Sequence, residues 1–90
     1  MGITIGSRVR SFDFADGDYG RDLDGERACY VEGVVSGYKF VEGCERYQIL
    51  VDRDVFGGKE SDRRIGRTVT PPVNGTPTWT GDVTNYVEVV

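Results

Sequence analysis

The chain has 90 residues, with 11 lysines and arginines against 15 aspartates and glutamates, and a formal net charge of −4 at pH 7. A chain of this length forms one small domain that buries only somewhat over about 60% of its unfolded surface, so the core must be thin. No apolar run reaches about 18 residues and the N-terminus lacks the pattern of a signal peptide, so we expect neither a membrane-spanning helix nor secretion. We therefore expect a soluble cytosolic protein with no membrane partner.

The first part of the chain predicts a strand and then an acidic loop. Residues 3–12 alternate apolar and polar side chains, with Gly6 as a kink. Residues 13–27 carry two arginines and six carboxylates, a net charge of −4, which accounts for the charge of the whole chain. Closely spaced aspartates suggest calcium ligands, but Arg27 stands where the calcium-loop pattern requires a bidentate Glu. We expect a solvated loop and no metal site.

Residues 28–56 predict a long antiparallel β-hairpin that turns near Glu42 and Gly43. Gly33 lies in the middle of its first strand, where the missing Cβ permits a sharp bend or the close approach of another backbone. Cys44 lies near the turn and the other cysteine far from it, so two independent thiols are expected instead of a disulfide. Alternation predicts that the inward face carries Cys29, Val31, Gly33 and Val35 on one strand and Tyr47, Ile49 and Val51 on the other.

The last third predicts a turn at residues 57–62 and a strand at residues 63–70 with Ile65 and Val69 inward. A Pro-rich connection follows at residues 71–82, and a final strand at residues 83–90 is apolar on both faces, which predicts that a neighbouring subunit covers it. Five strands in this arrangement predict an all-β fold, a small and strongly bent antiparallel barrel of the Sm-like or SH3-like type in one domain, 1–90.

Catalytic chemistry is not indicated by the residue types. The chain has no histidine, so Ser and Cys lack their usual general base. Asp52 and Asp54 share a strand face at a separation that suits an acid/base pair, but we expect both to be exposed and to keep ordinary pKa values. The sequence predicts no enzyme, no catalytic residue and no cofactor.

Two basic groups are candidates for nucleic-acid binding. At the hairpin end, Lys39 is flanked by Tyr38 and Phe40, with Arg46 nearby, and an aromatic ring beside a cation can stack a base and neutralise a phosphate. The alternative is that one ring packs under the turn while Lys39 is solvated. The second group is a run with a net charge of +2 once its two interleaved carboxylates are counted, comprising Lys59, Arg63, Arg64 and Arg67.

Trp79 is the single tryptophan and stands in the Pro-rich connection. It is expected either to plug one end of the barrel or to anchor a protein partner, a frequent role of exposed tryptophan. The other candidates for protein contact are residues of the last strand, Tyr86, Val87 and Val89.

The order of five segments carries a family resemblance. VRSFDF at 9–14, CYVEG at 29–33, GCERY at 43–47, VFGGKE at 55–60 and PPVNGTPTW at 71–79 resemble small proteins encoded by tailed phages of marine cyanobacteria, a group associated with the Sm-like barrel. The resemblance implies a strongly bent five-stranded sheet, a cyclic homo-oligomer, binding of single-stranded RNA in a regulatory role, and a location in the cytoplasm of the infected host cell. The alternative is a phage structural or host-interaction adaptor that acts through contacts with a phage or host protein.

Overall fold

The structure is a computed structural model, which describes residues 2–12, 29–77 and 86–90. The described strands number six: β1 (Arg8–Phe12), β2 (Tyr30–Val41), β3 (Cys44–Phe56), β4 (Lys59–Ser61), β5 (Thr68–Val69) and β6 (Val87–Val89). They form one antiparallel sheet in the order β4-β3-β2-β1-β6, and β5 also pairs with β3. The predicted all-β, strongly bent antiparallel architecture is confirmed.

The central hairpin of β2 and β3 forms as predicted. It turns at Glu42 and Gly43, whose φ values of 52° and 80° lie in the left-handed region that two-residue hairpin turns require. Buried side chains alternate with more exposed ones at residues 33–36 of β2 and 47–52 of β3, whereas residues 38–40 near the turn are all exposed. The predicted inward side chains Cys29, Val31, Val35, Tyr47, Ile49 and Val51 are all buried.

Two irregularities bend this hairpin. The register shifts between Glu32 and Gly33, where Asp52 is left unpaired on β3, and again between Val35 and Gly37. At the first shift the backbones approach so closely that a Cβ on Gly33 would lie 2.0 Å from the carbonyl oxygen of Leu50. The predicted role of Gly33 is therefore confirmed, since only a residue without a side chain fits at this crossing.

Several predicted boundaries are wrong. The first strand begins at Arg8, because a turn around Gly6 precedes it, and β4 occupies part of the predicted 57–62 turn. The predicted 63–70 strand is reduced to the two residues of β5, since Arg67 N–H donates to Arg64 C=O (3.0 Å) and makes a turn. That turn leaves Ile65, predicted to be inward, 47% exposed. The acidic loop at residues 13–27 and the start of the predicted last strand at residues 83–85 lie outside the described residues.

One side chain links β6 to the segment that follows β5. After β5, the chain continues beside β3, with Val73 N–H donating to Glu45 C=O (3.1 Å). Asn74 then donates from Nδ2 to Val87 C=O (2.7 Å) and accepts at Oδ1 from Val87 N–H (3.3 Å). The amide thus occupies the place of a neighbouring strand beside β6. In the described part of the chain, no strand pairing closes the sheet into a complete barrel.

The core is small, as expected for a chain of 90 residues. Its central cluster, with Ile3, Val69, Val73 and Tyr86 packed around it, consists of Val9, Val35, Tyr47, Ile49 and Val87. Both cysteines are free thiols, as predicted. Cys29 is buried at the far end of the hairpin, where its Sγ accepts a hydrogen bond from Gly57 N–H at 3.3 Å.

Candidate nucleic-acid interface

The predicted RNA-binding residues at the hairpin end do not converge on one face. Lys39 lies directly opposite Arg46, while Tyr38 and Phe40 lie at alternate positions and so point to the other side of the sheet. Tyr38 is occupied, because its hydroxyl donates to Ile3 C=O at 2.7 Å and its ring packs 5.9 Å from that of Tyr47. The pleat therefore separates the predicted cations from the predicted stacking rings.

The hairpin end also lacks surplus positive charge. Arg46 is partly buried and donates from Nη1 to Thr70 C=O at 2.9 Å, so its guanidinium holds the segment after β5 in place. Phe40 is 73% exposed, but its cross-strand neighbour is Glu45, whose carboxylate repels phosphate. Lys39 and Arg46 are balanced by Glu42 and Glu45, so this end has no net charge to attract a phosphate backbone.

The opposite end of β3 carries a cleft with a volume of about 320 Å³. Its floor is Asp54, which is buried although the sequence predicts exposure. The reason is the unpaired Asp52: one extra residue in β3 reverses the alternation and turns Asp54 inward. Asp52 and Asp54 consequently do not share a face, so the shared strand face predicted from the sequence is wrong.

Asp54 fixes the position of Arg64. Its Oδ1 accepts from Arg64 Nε (3.0 Å) and Nη2 (2.7 Å), and its Oδ2 accepts from Arg64 N–H (3.1 Å). Burial opposes ionisation, but the hydrogen bonds from the Arg64 guanidinium and backbone outweigh it and hold the pKa of Asp54 below its ordinary value. Asp54 is therefore a charged anchor for the turn after β4, and the charge of Arg64 is neutralised.

The same turn presents two further arginines to the cleft. It is held on β3 by Gly66 N–H donating to Val51 C=O (2.9 Å) and by Val51 N–H donating to Arg67 C=O (2.9 Å). Within the described residues, neither Arg63 nor Arg67 has a carboxylate at salt-bridge distance. The lining, with a net charge of +2, consists of Asp54, Phe56, Ser61, Arg63, Arg64 and Arg67.

Phe56 supplies an aromatic surface at the cleft. It is the last residue of β3, and its side chain is 54% exposed because the Gly57-Gly58 turn that follows offers no side chain to cover it. An exposed ring next to guanidinium groups that have no described carboxylate partner combines a stacking surface with phosphate ligands. Of the two described cavities, the cleft at the end of β3 has this combination and the cavity beside Val89 does not.

The outer face of β1, β2 and β3 has many charges but no surplus. Glu32 is buried and bridges to Arg8 (3.6 Å), Arg10 (2.6 Å) and Arg53 (3.2 Å). Asp52 pairs with Arg8 at 2.7 Å and Glu60 pairs with Arg53 at 2.7 Å, so three carboxylates balance three arginines. This network is internally neutral and offers little attraction to a phosphate.

The predicted protein-contact residues differ widely in exposure. Val87 is 2% exposed and belongs to the core cluster, which removes its side chain from any partner, and Tyr86 packs against the same cluster. Val89 is 60% exposed and remains available. Trp79 lies outside the described residues. A second, open cavity of about 390 Å³ lies beside Val89 and contains Tyr47, whose pKa is raised because the phenol is buried.

The sequence contains only part of the signal for the cleft. It shows a basic run, but the interleaved Glu60 and Asp62 hide which cations are in surplus. Glu60 pairs with Arg53 and Arg64 pairs with Asp54. Asp62 is exposed and does not line the cleft, so the cleft lining keeps its surplus of positive charge. The burial of Asp54 has no comparable signal in the sequence, because the bulge that turns it inward is visible only in the pairing of β2 with β3.

No family model, curated protein or solved structure matches this chain. In the part of the chain that the structure describes, no helix is long and apolar enough to cross a membrane. The same residues contain no group of three or more His, Cys, Asp or Glu side chains placed to hold a metal ion. The geometry and charge of the cleft are therefore the features of the molecule that bear on function.

Proposed function

We propose that this protein is a non-enzymatic, Sm-like RNA-binding module that engages single-stranded RNA through the cleft at the end of β3. The observation that carries the proposal is that Arg63 and Arg67, whose guanidinium groups have no salt-bridge partner among the described residues, line one cleft with the exposed ring of Phe56. Arginine forks suit phosphate oxygens, and an aromatic ring accepts any base by stacking. The regulatory role and the phage origin belong to the same proposal and derive from the resemblance of the sequence.

Binding should depend on the two arginines and on salt. With a single-stranded RNA of about ten nucleotides, within the site sizes of roughly 4–16 nucleotides known for small β-barrels, we expect Arg63→Gln/Arg67→Gln to weaken affinity at least about tenfold at low salt. The slope of log K against log salt should become shallower by about 1.4, since each lost phosphate contact accounts for about 0.7 with single strands. Fluorescence anisotropy across a salt series measures both quantities.

Matched variants separate the cleft from the hairpin end. Phe56→Leu keeps an apolar side chain but removes the stacking surface, and should cost about 1–3 kcal/mol of binding free energy. Lys39→Gln/Phe40→Ala removes the exposed cation and ring of the hairpin end and should leave affinity close to wild type. If Lys39→Gln/Phe40→Ala weakened binding and Phe56→Leu did not, the site would lie at the hairpin end. If the wild type bound no RNA at low salt, RNA binding would be refuted altogether.

We also propose a cyclic homo-oligomer, supported by the apolar end of β6. Val89 and Val90 are 60% and 57% exposed, and Asn74 covers the strand edge only at Val87. We expect the native mass to be a multiple of the chain mass at every concentration, and Val89→Asp to give single chains because a buried unpaired charge is costly. Ile5→Asp, at a position 63% exposed, is the control and should not change the mass. Single chains of wild type at all concentrations would exclude the ring.

A further inference from the structure

We infer that the cleft is a one-nucleotide site for a strand end, in which Arg63 and Arg67 bind a terminal phosphomonoester and Phe56 stacks the adjoining base. The inference rests on the proposed function, because it assumes that nucleic acid occupies this cleft. It adds a ligand class, a terminal phosphomonoester, which the presence of basic residues alone does not specify.

Charge is the first reason. Arg64 is neutralised by Asp54 at 2.7 Å, so the cleft keeps a surplus of two positive charges, those of Arg63 and Arg67. An internal phosphodiester carries one negative charge, whereas a phosphomonoester carries about 1.5 to 2 near neutral pH. A terminal phosphate therefore matches the surplus, and an internal phosphate leaves about one positive charge unbalanced.

The shape of the cleft is the second reason. A volume of about 320 Å³ is at the lower end of the roughly 300–1,000 Å³ of ligand sites, which provides room for about one nucleotide. The floor is closed, since Asp54 is 1% exposed and both of its oxygens are bonded to Arg64. Because the cleft has room for about one nucleotide, Arg63 and Arg67 act on a single phosphate, and the charge of that phosphate decides the fit.

Rigidity is the third reason. The turn is tied to β3 at Val51 by two backbone hydrogen bonds of 2.9 Å and at Asp54 by the Arg64 contacts. Arg63 N–H also donates to Ser61 Oγ at 3.3 Å. The backbone that carries both free arginines is thus positioned before any ligand arrives, and pre-organised donors discriminate better between anions of different charge.

The test compares three RNAs of one sequence, with a 5′-monophosphate, with a 3′-monophosphate, and with hydroxyl groups at both ends. The full chain should bind one phosphorylated RNA at least tenfold more tightly than the RNA with two hydroxyl ends, and the two phosphorylated arms identify which end is recognised. In Arg63→Gln/Arg67→Gln the preference should disappear. Both side chains are exposed and have no salt-bridge partner among the described residues. The variant is therefore expected to fold, which circular dichroism verifies.

The outcomes separate this inference from the function on which it rests. Equal affinity for all three RNAs, lost in the double variant, would overturn the terminal-phosphate site and leave RNA binding at the cleft intact. A preference for a phosphorylated end that persists in the double variant would also overturn the assignment to these arginines. Absence of binding to any of the three RNAs would overturn both proposals. Lys39→Gln removes a positive charge at the hairpin end and is the control. This variant should keep the preference for a phosphorylated RNA end.

Discussion

Replacing Gly33 with valine is expected to prevent stable folding. A Cβ at this position would lie 2.0 Å from the carbonyl oxygen of Leu50, 2.8 Å from its carbonyl carbon and 3.1 Å from the Cα of Val51. All three are backbone atoms of the paired strand, so no rotamer change can relieve the overlap. The loss should exceed the 1–3 kcal/mol typical of overpacking and reach about 4 kcal/mol or more, a large part of the total stability of a small domain.

Gly37 provides the matched control on the same strand. A Cβ there would meet only the Oε1 atom of Gln48, at 3.0 Å, which is the far end of a flexible side chain. Gly37→Ala should therefore change the free energy of unfolding by less than about 1 kcal/mol. Urea denaturation of Gly33→Ala, Gly33→Val and Gly37→Ala orders the three variants. A Gly33→Val protein as stable as wild type would show that the two backbones do not cross closely at Gly33.

Asp54→Asn is expected to lower the free energy of unfolding by about 3 kcal/mol at neutral pH. The amide keeps the shape of the side chain but cannot accept all the hydrogen bonds that Arg64 donates, and it leaves the guanidinium without its counter-charge. The expected loss is at the lower end of the roughly 3–5 kcal/mol for breaking a buried pair, because the Arg64 side chain is 28% exposed and retains some hydration. Urea denaturation at pH 7 measures it.

The pH dependence of stability tests the same contact. The folded-state pKa of Asp54 lies below its ordinary value of 3.8, so its contribution is fully present above about pH 4 and is lost as the pH falls through the folded-state value. The wild type should therefore lose stability on acidification below about pH 4. Asp54→Asn should show a flatter acid limb, because it has no carboxylate to protonate at this position. An acid limb identical to that of the wild type would exclude the anchoring role of Asp54.

Asp52→Asn is the control for burial. Asp52 is two residues away on the same strand and pairs with Arg8 at 2.7 Å, but its side chain is 53% exposed. The Arg8 hydrogen bond lowers the pKa of Asp52. Solvent nevertheless screens an exposed ion pair, which limits its contribution to the free energy of unfolding to about 0–1 kcal/mol. Equal losses for the two variants would contradict the assignment of Asp54 as the buried anchor and Asp52 as the solvated residue of the bulge.

The central hairpin could be predicted because its determinants are local. A period of two in side-chain character decides which face is buried, and Glu42-Gly43 supports the turn with positive φ at both positions. Gly33 was identifiable for the same reason, since a glycine in the middle of an apolar strand face has few structural explanations. These features require no knowledge of distant residues.

The segment after β3 could not be predicted to the same extent. The apolar spacing of residues 63–70 suggests a strand, yet the chain turns at Arg64 to Arg67 because hydrogen bonds to Val51 and Asp54 are available there. Those acceptors and donors belong to another strand and exist only once that strand is placed. The exposed position of Ile65 follows from the same turn.

The sequence by itself determined the all-β class, the long bent hairpin, the free thiols and the region of basic residues, because composition, alternation and turn chemistry are properties of neighbouring residues. Only the tertiary structure decided which charges are free. The unpaired Asp52 turns Asp54 inward, Asp54 neutralises Arg64, and Arg63 and Arg67 are left facing the cleft. The bulge depends on how β2 and β3 pair far from their connecting turn, so its consequences for the site appear only when the strands are paired.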